Sequence, residues 1–145
     1  MFTKLIKDNR GSAFVELILK LLITSLIVLT AIHFFDVAIK YQHVSYTSKE
    51  IAKIIELEGA LTPTAWQRLD RLNDSFGMDM DFTVTDVTFF DPAARTIQFR
   101  EPFTVTVNFV YQFPILSPVF TSTPVTMGIP MRADVQGMSE VFWKP

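Results

Sequence analysis

An apolar run near the start of the chain constrains it more than any other feature. From Leu17 to Phe35 the only formal charge is Lys20. The stretch Ser12 to Phe35 is about 24 residues, or roughly 36 Å as a helix, enough to cross a hydrocarbon core of about 30 Å. Basic residues precede it (Lys4, Lys7, Arg10), whereas Asp36 and Lys40 follow it, so the expected orientation keeps the N-terminus cytoplasmic. A carboxylate, Glu16, sits at the start of the run, and an ionisable group there demands a function by default.

A cleaved secretory signal would need a shorter apolar region followed by small residues. The chain instead continues His33-Phe34-Phe35-Asp36-Val37-Ala38, bulky and charged where small residues are required. The apolar segment is therefore expected to stay. No Gly or Pro interrupts the chain from Ser12 to Glu58, and after Phe35 the pattern becomes amphipathic. Val37, Tyr41, Val44, Ile51 and Ile55 recur at helical spacing with Ser48 in the gap, and Gly59 suits the position that ends a helix. One helix of about 45 residues is predicted. Residues 12–35 form its membrane part and 36–59 its amphipathic extension, following a basic leader over 1–11 and preceding an extracytoplasmic head over 60–145.

In that head, Thr62-Pro63 signals a short helix with Thr62 at the N-cap. Trp66, Leu69, Leu72 and Phe76 supply its apolar face and Gly77 closes it. The period then becomes two. Phe82 to Thr85 begins a strand whose phase slips at Asp86-Val87, as a bulge would allow, before Phe89-Phe90. Asp91 to Ala94 is a turn and Thr96 to Phe99 a short strand. The clearest alternation places Phe103, Val105, Val107, Phe109, Tyr111 and Phe113 on one face. Pro114, Pro118 and Pro124 bracket a loop, and Val125 to Ala133 form a last strand that Pro130 confines to an edge or bulge. The expected fold class is α+β: a long N-terminal helix on an antiparallel meander of about four strands, with one short extra helix. Trp143 is compatible with either a packed or an exposed position.

Several chemistries have no support in this composition. The chain has no cysteine, which removes disulfides, thiolate metal sites and cysteine nucleophiles. A net charge of −2 offers no reason to expect nucleic acid as a partner. His33 and His43 are ten residues apart on the long helix, so neither a metal pair nor a Ser/His/Asp set is expected. The acidic series Asp70, Asp74, Asp79, Asp81, Asp86 and Asp91 matches no calcium-loop spacing and reads as a solvated face. No cofactor, no metal and no enzymatic activity are expected.

The order Arg10-Gly11-Ser12-Ala13-Phe14-Val15-Glu16 resembles the type III signal of type IV pilins and pseudopilins: a basic leader, Gly, then an apolar helix with Glu at its fifth position. The small residues after Gly11 are most similar to TadE-like proteins of tight-adherence (Tad/Flp) pilus systems, as is the closing Met131-Arg132-Ala133 strand. That resemblance implies cleavage between Gly11 and Ser12 by a prepilin peptidase, and a long helix docked on a small head. It also implies that Glu16 meets the N-terminal amine of a neighbouring subunit. The implied partners are other pilin or pseudopilin subunits and the pilus assembly platform, with the membrane as the site of insertion. Leu17 where major Flp pilins carry Tyr, and a large head, point to a minor pilin or pseudopilin; Lys20 is a further departure. Two alternatives remain open. Glu16 could snorkel to the interface beside Lys20. The chain could also be an unprocessed single-pass protein with an extracytoplasmic partner-binding domain.

Overall fold

The computed structural model describes residues 9–116 and 125–144, with only the backbone described for 9–12 and 115–116. The leader residues Lys4 and Lys7, and Pro118 and Pro124 of the expected loop, lie outside the described residues. The chain divides into two compact units, one through Ala38 and one from Ile39 onward.

Helix α1 spans Asn9–Glu58. In the first unit it is an uncovered apolar helix, long and apolar enough to cross a membrane. Every described large hydrophobic residue from Phe14 to Phe35 is exposed. Within this run the Thr30 hydroxyl satisfies itself on its own helix, donating to the Leu26 carbonyl at 2.8 Å.

In the second unit α1 buries Val44, Thr47, Ser48, Ile51, Ala52 and Ile55, a stripe at spacings of three and four. Tyr41, expected on this stripe, is 52% exposed. Helix α2, Pro63–Phe76, runs antiparallel to α1, with Arg68 bridging to Glu50 at 3.0 Å and Phe76 stacked on His43 at 4.0 Å. The α1 residues that touch α2 (His43, Tyr46 and Glu50) lie on the side of the helix opposite Tyr41, so α2 leaves Tyr41 uncovered.

The start of α2 departs in detail from the expected cap. Thr62 is extended, but its hydroxyl donates to the Glu58 carboxylate and accepts no N–H of its own helix. The C-terminus follows expectation, with Gly77 left-handed at φ 59° and its N–H donating to the Asn73 carbonyl. Asn73 then fixes the next turn, its side chain accepting from Met80 N–H at 2.9 Å and donating to the Met80 carbonyl at 3.0 Å.

Three antiparallel strands make the main sheet: β1 (Asp81–Thr85), β4 (Pro102–Leu116) and β5 (Val125–Met138), in the order β1-β4-β5. A separate hairpin pairs β2 (Phe89–Asp91) with β3 (Thr96–Ile97). The expected single meander is thus divided. Asp86 takes a left-handed φ of 56°, which ends β1 at Thr85 where a bulge was expected. The hairpin then joins the chain following α1: Ile97 N–H donates to the Gly59 carbonyl at 2.7 Å, and Leu61 N–H to the Arg95 carbonyl at 3.1 Å. Strand β3 is shorter than the expected Thr96–Phe99, because the backbone turns there: Glu101 N–H donates to the Gln98 carbonyl at 3.0 Å and Arg100 takes a left-handed φ of 65°. Strand β5 is an edge, as Pro130 requires.

The head's core collects Val44, Ile51 and Ile55 from α1, Leu69 and Leu72 from α2, and Phe82, Ile97, Phe103, Val105 and Val107 from the strands. One buried polar atom stands out. Thr47 is fully buried and its hydroxyl oxygen has no hydrogen-bond partner among the described residues. Replacing Thr47 by Val removes that polar group at nearly constant shape. The variant is expected to be more stable by about 1 kcal/mol, read as a higher urea midpoint in detergent.

Candidate functional site

Gly11 and Ser12 lie in the first turns of α1, with helical backbone. Glu16 follows Ser12 by one turn, which is why a helix beginning before Gly11 puts both on one side. The Glu16 carboxylate pairs with Lys20 of the same helix at 2.7 Å, and both side chains remain mostly exposed. Glu four residues N-terminal to Lys is the favourable order for such a pair.

Apolar side chains surround this pair on the helix: Phe14, Val15, Leu17, Ile18 and Leu19 are all exposed. The result is a locally neutralised polar spot on an otherwise apolar cylinder. Chemically it can accept a hydrogen bond or ion pair from a cationic donor on a neighbouring chain. The furrows lined by Leu17, Lys20, Leu21, Thr24 and Ser25 are grooves along one open helix, not enclosed cavities.

Other candidate residues are engaged locally. His43 stacks on Phe76. Among the acidic series, Asp81 accepts from the Phe82 N–H at the start of β1, and Asp91 from the Ala93 N–H, shaping the turn between β2 and β3. No three His, Cys, Asp or Glu residues among the described residues come together as a cation site.

Two constellations escaped sequence reasoning. On the β4–β5 pair, Asp134 accepts from Arg132 at 2.9 Å and from the Thr106 hydroxyl at 2.7 Å. These hydrogen bonds, Arg132's foremost, hold the Asp134 carboxyl below its ordinary range. At the end of α1, the C-terminal segment is stapled down by distant polar groups. Met138 N–H donates to the Glu56 carboxylate at 3.1 Å, Glu140 N–H to the Glu56 carbonyl at 3.0 Å, and the Trp143 indole to the Gly59 carbonyl at 3.1 Å. The partners are more than eighty residues apart for Glu56–Met138 and Gly59–Trp143, so no local pattern announces them.

Residues 21–144 match one protein family, described as a domain of unknown function (DUF4320). The match takes in most of the apolar run and all of the head but Pro145, and begins after Glu16 and Lys20. No curated protein and no solved structure matches the chain. Since the match covers most of its length, the chain belongs to the DUF4320 family.

Proposed function

We propose that this protein is a structural, non-enzymatic subunit of a pilus-like or secretion machine, a TadE-like minor pilin or pseudopilin anchored in a membrane by α1. It is cleaved between Gly11 and Ser12 by a prepilin peptidase on the cytoplasmic side. It then assembles with other pilin or pseudopilin subunits at the assembly platform, its head outside the membrane. The observation that carries this reading is a wholly uncovered apolar helix that starts with a carboxylate one turn after Gly11-Ser12. Such a surface needs lipid or other helices around it, and a carboxylate on it needs a cationic partner.

Glu16 would meet the amine of a neighbouring subunit, exchanging or sharing its bond with Lys20. A charge at mid-bilayer costs on the order of 3 kcal/mol, less near the end of a span, and a second ammonium offsets part of it. The Glu16–Lys20 pair also favours a second reading, an unprocessed single-pass protein whose carboxylate is satisfied within its own helix and whose head binds a partner.

Two measurements separate these readings. Mass spectrometry of the membrane-isolated protein is expected to find Ser12 as the first residue, and Gly11→Ala is expected to abolish that cleavage. An intact N-terminus in a host with an active prepilin peptidase would sink the pilin reading. The double variant Glu16→Gln/Lys20→Gln removes the intrahelical pair but not the apolar surface. It is expected to insert normally and to assemble several-fold less; assembly at the parental level would assign Glu16 to its own helix only.

A further inference from the structure

From Pro102 to Met131 the sequence contains no Asp, Glu, Lys, Arg or His, in a chain that is 19% charged. The described residues of this charge-free run lie in β4 and β5, and their outer part has an unusual situation in the head. Strand β1 pairs with β4 only from Thr104 to Asn108, whereas β4 and β5 stay paired out to Leu116 and Val125. Beyond Asn108 the sheet is therefore a two-stranded ribbon, a form that is only marginally stable in water by itself.

The direction of the ribbon follows from contacts within the head. The Pro102 end of β4 lies at Glu56, whose carboxylate bonds Met138 N–H, the residue paired with Pro102. The Asn108 end lies near His43: Asn108 pairs with Asp81, next to Met80, which is clamped by Asn73 one turn before Phe76 on His43. The lengths agree, at about 20 Å for the strand and about 20 Å for the helix between those levels. The ribbon thus leaves the head at the end where the chain, coming from its apolar run, enters it at Ile39. It extends about 20 Å further to Pro114.

Apolar side chains populate this extension. Val110 is 53% exposed, Met127 51% and Val125 43%, with Phe109 and Ile129 half-buried. Addition of another strand is disfavoured, because a proline in a ladder must face its missing N–H away from the partner strand. Pro114 on β4 and Pro130 on β5 therefore each leave a gap in an outer edge.

We propose that the ribbon formed by Phe109–Pro114 and Val125–Met131 rests in the headgroup region of a lipid bilayer, as a second membrane contact of this chain. The proposal rests on the reading of α1 as membrane-spanning. Aromatic and apolar side chains without charge suit that boundary, and the open edges of the ribbon keep it out of the hydrocarbon, where unpaired backbone groups are not tolerated. Lacking charge, the contact is insensitive to ionic strength and to anionic lipid.

The absence of cysteine allows a direct test with the full chain in phosphatidylcholine nanodiscs. Single variants Met127→Cys, Val110→Cys, Gln136→Cys and Ile27→Cys are labelled with an environment-sensitive fluorophore and quenched by lipids carrying nitroxide at the headgroup or deep in the acyl chain. The expected result is headgroup quenching several-fold stronger at positions 127 and 110 than at the exposed Gln136, unchanged by salt, with deep quenching at 27. Deep quenching at 27 with positions 127 and 110 no different from 136 overturns the ribbon proposal and leaves the anchor standing. No quenching at 27 overturns the anchor and the proposal with it. Labels at 127 and 110 shielded from aqueous iodide yet unquenched by lipid overturn it in favour of a protein neighbour.

Discussion

Phe103→Ala is expected to destabilise the head by about 3 to 5 kcal/mol, a large share of the roughly 5 to 15 kcal/mol by which domains are usually stable. Phe103 is 1% exposed and opens the buried face that continues through Val105 and Val107. Its ring also fills the space over Gly137, where a Cβ would stand 2.5 Å from the ring's Cζ. Truncation leaves a cavity that a glycine opposite cannot fill. The two tryptophans, Trp66 and Trp143, both lie in the head, so urea unfolding in detergent followed by their fluorescence isolates this unit. Phe142, 66% exposed, is the matched control, and Phe142→Ala is expected to change stability by no more than about 0.5 kcal/mol. Equal losses for the two phenylalanines would contradict this account of the core.

Gly59→Ala is expected to cost about 2 to 5 kcal/mol, the sum of a conformational cost and a steric one. Gly59 has φ 58°, which costs an L-residue about 1 to 2 kcal/mol. A Cβ there would also stand 2.5 Å from the Val141 Cβ and 3.1 Å from the Trp143 indole nitrogen, adding about 1 to 3 kcal/mol of overpacking. Gly77 separates the two causes. It has nearly the same φ, 59°, but a Cβ added there would meet nothing within 4 Å, so Gly77→Ala isolates the conformational part. The difference between the two variants measures how firmly the C-terminal segment closes over the end of α1. A shift in Trp143 emission should accompany the Gly59 change, since its indole donates to the Gly59 carbonyl.

Both variants leave Glu16 and the apolar run untouched, which makes them useful for function as well. Under the proposed role, a destabilised head should still be inserted, and processed at Gly11, while losing contacts that depend on the head. A Glu16/Lys20 variant should show the reverse, with a native head and defective assembly. The two halves of the chain are thus separable by experiment.

What local patterning determines in this protein is considerable. A run of apolar residues without a breaker produces α1, and Pro63 with Gly77 brackets α2 because one fixes φ and the other tolerates its left-handed form. Strict alternation after Pro102 produces β4 and its buried Phe103, Val105 and Val107. Gly11, Ser12 and Glu16 are also legible without coordinates, because their proposed chemistry depends on order along one helix.

Tertiary structure alone decides which elements meet. Asp86 turning left-handed breaks the expected β1 phase slip into a strand end and a separate hairpin, which then pairs beside Gly59. Tyr41 fits the helical period as well as Val44 does, yet is exposed because α2 packs on the other side of α1, at His43, Tyr46 and Glu50. Trp143 packs because Gln98 and Gly59, distant in sequence, present a carboxamide and a carbonyl to it. Periodicity reports the faces of an element, whereas pairing is a competition among distant surfaces for burial and hydrogen bonds. Only the folded chain resolves that competition.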